Sequence, residues 1–175
     1  MSIGRNNKRA GQIGEHLVCA ELGKRGLIAT PFSGNVPTFD VIAADERCRT
    51  VPIQVKASRF DNWPNDAREW MEISFDPETQ KQKFIASKKL ENPDLIYVFV
   101  AIANPGDEGQ KDKFFVLTKA QLQEICIVHY SKWMGGLEWK RPRSPESYDL
   151  RFETRDLEKF EGKWEMITTR LAAVD

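Results

Sequence analysis

The sequence predicts an α/β protein in which a central mixed β-sheet is flanked by helices. An amphipathic segment opens the chain, three strand-like segments follow it, and a near-continuous apolar run occupies residues 95–103. A run that is apolar at successive positions is typical of a strand buried on both faces. Helices and a sheet in this order pack in layers around one core, and 175 residues fit a single domain.

The first predicted helix covers residues 7–24, where apolar residues recur at the spacing of one helix face. Gly11 and Gly14 lie within it and weaken it intrinsically. We expect these glycines to let the helix backbone approach a sheet closely. Gly26 stands where a left-handed C-terminal cap is expected.

Strands follow at 27–32, 38–44, 50–58, 70–75, 95–103 and 113–117. A turn is predicted at 33–35, and the polar turn at 45–47 favours an antiparallel hairpin of the second and third strands. The polar, lysine-rich segment 76–90 is predicted to be helical. Thr118 begins a capping box that opens a helix through about residue 133. The tail 134–175 is predicted to contain turns and a short helix at 156–160.

Charge and composition exclude several classes of protein. The 26 basic and 26 acidic residues cancel, which argues against coating nucleic acid by bulk charge. Arg5, Lys8 and Arg9 cluster near the N-terminus, and either a local positive patch or a solvated helix end explains them. The longest apolar run is too short to cross a membrane, and no secretory signal opens the chain. The three cysteines form no CxxC pair, which favours a reducing cytoplasm.

One constellation of polar residues carries chemistry. Asp40 lies inside an otherwise apolar strand, and Gln54 and Lys56 share one face of the next strand because they are two residues apart. Glu15 lies on the first helix. Polar groups in apolar strands are costly unless they are paired or bind a metal. Carboxylates and a side-chain carbonyl suit Mg²⁺, and a nearby lysine suits activation of water or stabilisation of a phosphate. These are the parts of metal-assisted phosphodiester hydrolysis.

This constellation resembles the PD-(D/E)XK nuclease superfamily, whose restriction-endonuclease-like fold also includes Holliday-junction resolvases. The resemblance covers about residues 11–122. It implies that Asp40, Gln54 at the (D/E) position and Glu15 from the helix bind the metal, and that Lys56 serves in catalysis. Phe39 stands where proline is common in the family. Gln54 replaces an acid, and the lost charge should weaken metal binding.

The resemblance implies one restriction-endonuclease-like domain over 1–175, with a core at about 7–133 and an extension at 134–175. The expected activity is Mg²⁺- or Mn²⁺-dependent hydrolysis of DNA phosphodiester bonds, with DNA as the partner and the N-terminal basic residues on its backbone. A homodimer or a partner subunit is also expected, but no membrane. The alternative is a catalytically degenerate nuclease-fold module for binding, or a subunit of a larger complex.

Each candidate residue also has a purely structural interpretation. Asp40 could accept a backbone N–H at a strand end, and Lys56 could be an ordinary surface lysine. Gln54 could make a structural hydrogen bond, and Glu15 could be a solvated helix acid. The five tryptophans are interpreted as packing residues rather than as surfaces on which bases stack.

Overall fold

A computed structural model describes residues 3–32, 38–104, 106 and 109–173, without the side chains of 3–7. The predicted turn at 33–35 and the side chain of Arg5 therefore lie outside the described part. The helices are α1 (Ile3–Gly23), α2 (Lys119–Gly136), α3 (Thr154–Leu157) and α4 (Glu165–Ala172). The strands are β1 (Ile28–Pro31), β2 (Val41–Ala44), β3 (Thr50–Ser58), β4 (Asn62–Asp66), β5 (Met71–Asp76), β6 (Lys81–Ser87), β7 (Ile96–Ala101), β8 (Lys113–Thr118) and β9 (Asp149–Glu153).

The chain divides into two compact units, each assembled from separate stretches of sequence. The first unit contains Met1–Trp63, Asp94–Thr118 and Glu153–Asp175. The second unit contains Pro64–Pro93 and Lys119–Phe152. All four candidate site residues belong to the first unit.

The first unit is built on a five-stranded sheet in the order β1-β2-β3-β7-β8. β3 and β7 are parallel, whereas the other neighbouring strands are antiparallel. The mixed sheet and the β2–β3 hairpin predicted from the sequence are thereby confirmed. A parallel pair needs a long crossover connection, which the chain between β3 and β7 supplies.

The core of the first unit packs α1 and the C-terminal helices with the sheet. On β3, Ile53 and Val55 are buried, as strand alternation predicts for the residues beside Gln54 and Lys56. They share one apolar cluster with the buried residues of the helices: Val18, Leu22, Trp164, Ile167 and Leu171. The helical residues of this cluster come from α1 and from the segment of α4. The part of the C-terminal extension that contains α4 therefore belongs to the core.

Glycine lets α1 approach β3, but at one position rather than two. A Cβ added at Gly14 would clash with the Cβ of Ala57 and lie 3.5 Å from a methyl carbon of Val55. At Gly11 an added Cβ would meet nothing within 4 Å, so the expected close approach is wrong there. Gly26 confirms the predicted left-handed cap, with φ at +79°.

The second unit contains a hairpin whose first strand, β5, was predicted, whereas its second strand, β6, lies where a helix was predicted. Residues 76–90 are not helical: β5 and β6 pair in antiparallel fashion and enclose this segment's turn. The Asp76 carboxylate accepts the N–H of Glu78 at 2.9 Å and the hydroxyl of Thr79 at 2.7 Å, which closes the turn. The sequence analysis also missed β9, which pairs with β4, and helix α4.

Among the described residues, no helix combines the length and the apolar character that crossing a membrane requires.

Candidate active site

Asp40 directly precedes β2, at the end of the β2–β3 ladder. Its N–H donates to the carbonyl of Ile53 at 2.9 Å, so its side chain comes opposite Gln54. The residues before Asp40 no longer pair with β3, so no backbone carbonyl of β2 accepts the N–H of Val55. The Asp40 carboxylate is the acceptor instead: Oδ2 accepts the Val55 N–H at 2.8 Å. Asp40 therefore has the structural role that the sequence analysis left open for it.

Gln54 reaches the same carboxylate. Its side-chain amide donates from Nε2 to Oδ2 of Asp40, so the structure brings these two predicted residues into direct contact. Both contacts fall on Oδ2, and Oδ1 accepts no hydrogen bond within the described ranges. The amide of Gln54 thus donates its nitrogen to the carboxylate, and its carbonyl oxygen is the only atom of this side chain with lone pairs to offer a cation.

Glu15 lies on α1 directly after Gly14, whose lack of a Cβ brings this turn of the helix against β3. Glu15 is half-buried. Burial, and next the negative charge of Asp40, raise the pKa of its carboxyl group above the ordinary value of 4.5. Neither carboxylate forms a salt bridge within the described part of the chain. Two carboxylates within electrostatic range of each other form the kind of site that a divalent cation stabilises.

Lys56 shares a face of β3 with Gln54, but its side chain is exposed to solvent. It makes no hydrogen bond or salt bridge to another described residue. The structure thus joins Asp40 with Gln54 and couples Glu15 to them electrostatically, whereas it does not bring the Lys56 ammonium group into contact with the carboxylates.

Phe39, which the sequence analysis noted, and Phe32, which it did not, fix the chain in front of Asp40. The rings of Phe32 and Phe39 meet edge to face with centroids 5.2 Å apart. The N–H of Phe32 also donates to the carbonyl of Asp40 at 2.9 Å. The ring contact and this hydrogen bond hold the backbone next to the Asp40 carboxylate.

The donor set limits the kind of metal that fits. Among the described residues, no group of three or more His, Cys, Asp or Glu side chains is close enough to hold a metal ion. The candidate site instead offers two carboxylates and one amide, all oxygen donors. Such a set fits Mg²⁺, which keeps several waters and takes one or two carboxylates from the protein. It lacks the nitrogen and sulfur ligands that zinc prefers.

Comparisons with known proteins find a distant structural similarity. No family model and no curated protein matches the sequence. Among solved structures, the chain is similar to a bacterial homing endonuclease, I-Ssp6803I, with 14% sequence identity and a TM-score of 0.49 over 95% of each chain. A likeness at this level assigns neither an activity nor residue roles to the chain.

Proposed function

We propose that the chain is a metal-dependent nuclease of the PD-(D/E)XK superfamily, in a QxK form, that hydrolyses DNA phosphodiester bonds. The observation that carries the proposal is the meeting of Asp40 with Gln54 beside the half-buried Glu15. Two carboxyl groups and one side-chain amide come together here, from α1, from the residue before β2 and from β3. This arrangement agrees with the residue order that first indicated the superfamily.

Asp40, Gln54 and Glu15 would hold Mg²⁺ or Mn²⁺. When bound, such an ion activates water and stabilises charge on the phosphate. Asp40 has a carboxylate oxygen, Oδ1, without a hydrogen bond from the described residues. Lys56 is exposed on the same side of β3 as Gln54, where its flexible stem lets the ammonium group reach a phosphate or orient a water. The apolar side of β3 holds the strand rigid beneath these groups.

Cleavage of DNA tests the proposal. We expect plasmid and branched DNA to be cut in Mg²⁺ or Mn²⁺, and Asp40→Asn and Lys56→Ala to stop the cutting. Lys113→Ala is the matched control, because Lys113 is an exposed lysine on β8 of the same sheet. Cleavage that survives both site substitutions, or that Lys113→Ala abolishes equally, would contradict the assignment.

A second candidate function is a degenerate nuclease-fold module that binds without turnover. Two observations favour it: Asp40 is already engaged by the Val55 N–H, and Gln54 presents its amide nitrogen to Asp40 rather than an oxygen to a cation. Calorimetric titration with Mn²⁺ separates the two candidates. The degenerate module predicts no binding at millimolar Mn²⁺, with binding restored by Gln54→Glu.

The proposal also includes a homodimer or a partner subunit and a reducing cytoplasm. Support for the compartment comes from Cys19, Cys48 and Cys126, which are all free thiols. Sedimentation of the purified protein and a pull-down would test the assembly.

A further inference from the structure

The strand that carries Gln54 and Lys56 ends in a turn that holds an aromatic side chain in solvent. Phe60 is 75% exposed, more than any other large apolar side chain that the structure describes. The tryptophans considered as stacking surfaces behave differently. Trp63, Trp70 and Trp164 are all at least 93% buried, which confirms their interpretation as packing residues, whereas Trp133 is 38% exposed. In the described part of the first unit, the exposed aromatic side chains are Phe32, at 40%, and Phe60, at 75%.

The backbone around Phe60 is fixed on both sides. Its N–H donates to the hydroxyl oxygen of Ser58 at 3.1 Å, and its carbonyl accepts from the side-chain amide of Asn62 at 2.8 Å. The next carbonyl, that of Asp61, accepts the N–H of Thr154 at 3.2 Å. The ring is thus presented to solvent from a hydrogen-bonded turn, so little backbone entropy remains to be lost when a partner covers it.

The sequence next to the ring resembles that of proteins that insert an apolar side chain between DNA base steps. Arg59 directly precedes Phe60 and Asp61 follows it, and arginine is a side-chain type that contacts the minor groove. Minor-groove proteins pair such residues with an apolar side chain that enters between base steps. An aromatic face also stacks on any base, so it needs no particular sequence.

The length of chain between the two residues agrees with this role. Lys56 and Phe60 are four positions apart and β3 ends at Ser58 between them, so their Cα atoms lie within about 13 Å of each other at about 3.3 Å per residue. That upper limit corresponds to about four base steps of a duplex at about 3.4 Å each. A phosphate at the candidate site and a base step at Phe60 therefore fit on one duplex.

We propose that Phe60 inserts its ring into the DNA base stack a few base steps from the phosphate held at the Asp40 site. This inference rests on the proposed nuclease function and adds a DNA-contacting residue outside the metal-binding set. Insertion partly unstacks one step and holds the strand in register with the site. Phe60 acts as a positioning residue and takes no part in the bond-breaking step.

Fluorescence of 2-aminopurine, which rises when this base unstacks, tests the insertion directly. The probes are a linear duplex and a four-way junction labelled at successive positions, in EDTA so that cleavage is stopped. We expect binding of the wild-type protein to raise the emission at a defined position. Phe60→Ala should remove the rise and weaken binding about tenfold, as loss of one stacked base does. Ile28→Ala is the matched control, because Ile28 is 71% exposed on β1 of the same unit.

The possible outcomes separate this inference from the function on which it rests. Wild-type affinity and emission in Phe60→Ala would overturn the insertion and leave the nuclease proposal intact. A change in sedimentation rather than in DNA affinity would assign Phe60 to a protein interface and overturn it too. Absence of DNA binding by the wild-type protein would overturn both proposals. Asp40→Asn should stop cleavage in Mg²⁺ and keep the emission signal, which distinguishes positioning from chemistry.

Discussion

Gln54 donates its side-chain amide to the carboxylate of Asp40 across the edge of the β2–β3 hairpin. The same carboxylate oxygen accepts the N–H of Val55. A glutamate in place of Gln54 has no hydrogen to donate and would add a third negative charge beside Asp40 and Glu15. The amide therefore stabilises the Asp40 carboxylate by a hydrogen bond, whereas its neutrality gives less attraction for a cation than a glutamate would.

Gln54→Glu should lower the stability of the protein in the absence of metal and raise its affinity for a metal ion. We expect a lower Tm in EDTA, since the new carboxylate repels Asp40 and removes a hydrogen-bond donor. We also expect tighter Mn²⁺ binding and a larger rise of Tm on adding Mn²⁺. Calorimetry and thermal unfolding measure both. Gln12→Glu, the same change at an exposed position of α1, is the control. Equal Mn²⁺ affinity in the two variants would contradict a metal site at Asp40.

Asp40→Ala should destabilise the fold as well as stop cleavage. Val55 is only 7% exposed, and its N–H would lose its acceptor. An unsatisfied buried donor costs about 1–3 kcal/mol, and we expect the free energy of unfolding to fall by about that amount. Asp40→Asn keeps a side-chain carbonyl and should lose less. Chemical denaturation in EDTA compares the two, and equal losses would show that the contact with Val55 contributes nothing.

Gly14→Ala should force α1 away from β3. The added methyl group would clash with the Cβ of Ala57, and overpacking of this kind costs about 1–3 kcal/mol. Because Glu15 is the next residue, metal affinity should fall as well. Gly11→Ala is the matched control: its methyl group meets no atom within 4 Å, and alanine favours the helix by about 1 kcal/mol. A destabilised Gly11→Ala variant, or an unaffected Gly14→Ala variant, would show that the close approach is misplaced.

The pKa of Glu15 predicts a specific dependence of stability on pH in the absence of metal. Burial and then the charge of Asp40 raise this pKa above 4.5, so the folded state favours the protonated carboxyl group. The contribution of Glu15 to stability is fully present below the pKa of this group in the unfolded state. It is lost as the pH rises through the pKa in the folded state. We expect Glu15→Gln to be more stable than the wild type near neutral pH in EDTA, and the difference to vanish in acid. A difference that stays constant with pH would contradict the buried position of Glu15.

Local sequence patterns were sufficient to predict most helices and strands of the first unit. The apolar period of α1, the alternation in β3 and the buried run of β7 each follow from which atoms leave water. They also put Gln54 and Lys56 on one face of their strand. The choice of acceptor at Asp40 Oδ2 did not follow from sequence, since it depends on where β2 leaves the ladder. The exposure of the Lys56 side chain depends on packing in the same way.

The hairpin at β5–β6 shows why the second unit was harder to predict. The alternation of apolar and polar residues is hidden in β6, because the buried position of this strand is the polar residue Gln82. The amide of Gln82 donates to the carbonyls of Pro145 at 2.6 Å and Ser147 at 2.9 Å, and its oxygen accepts from Tyr130. These partners lie far away in sequence. No local pattern therefore indicates that this glutamine faces inwards, and the lysines around it resemble a solvated helix.

The assembly of the first unit from three stretches of chain has a consequence for biosynthesis. Ile167 and Leu171 belong to the same apolar cluster as Val18 and Ile53. During translation, the apolar side of the sheet cannot be fully covered until α4 has been synthesised and has left the ribosome. The nascent chain must therefore keep the apolar faces of β3 and β7 out of aggregates until that point.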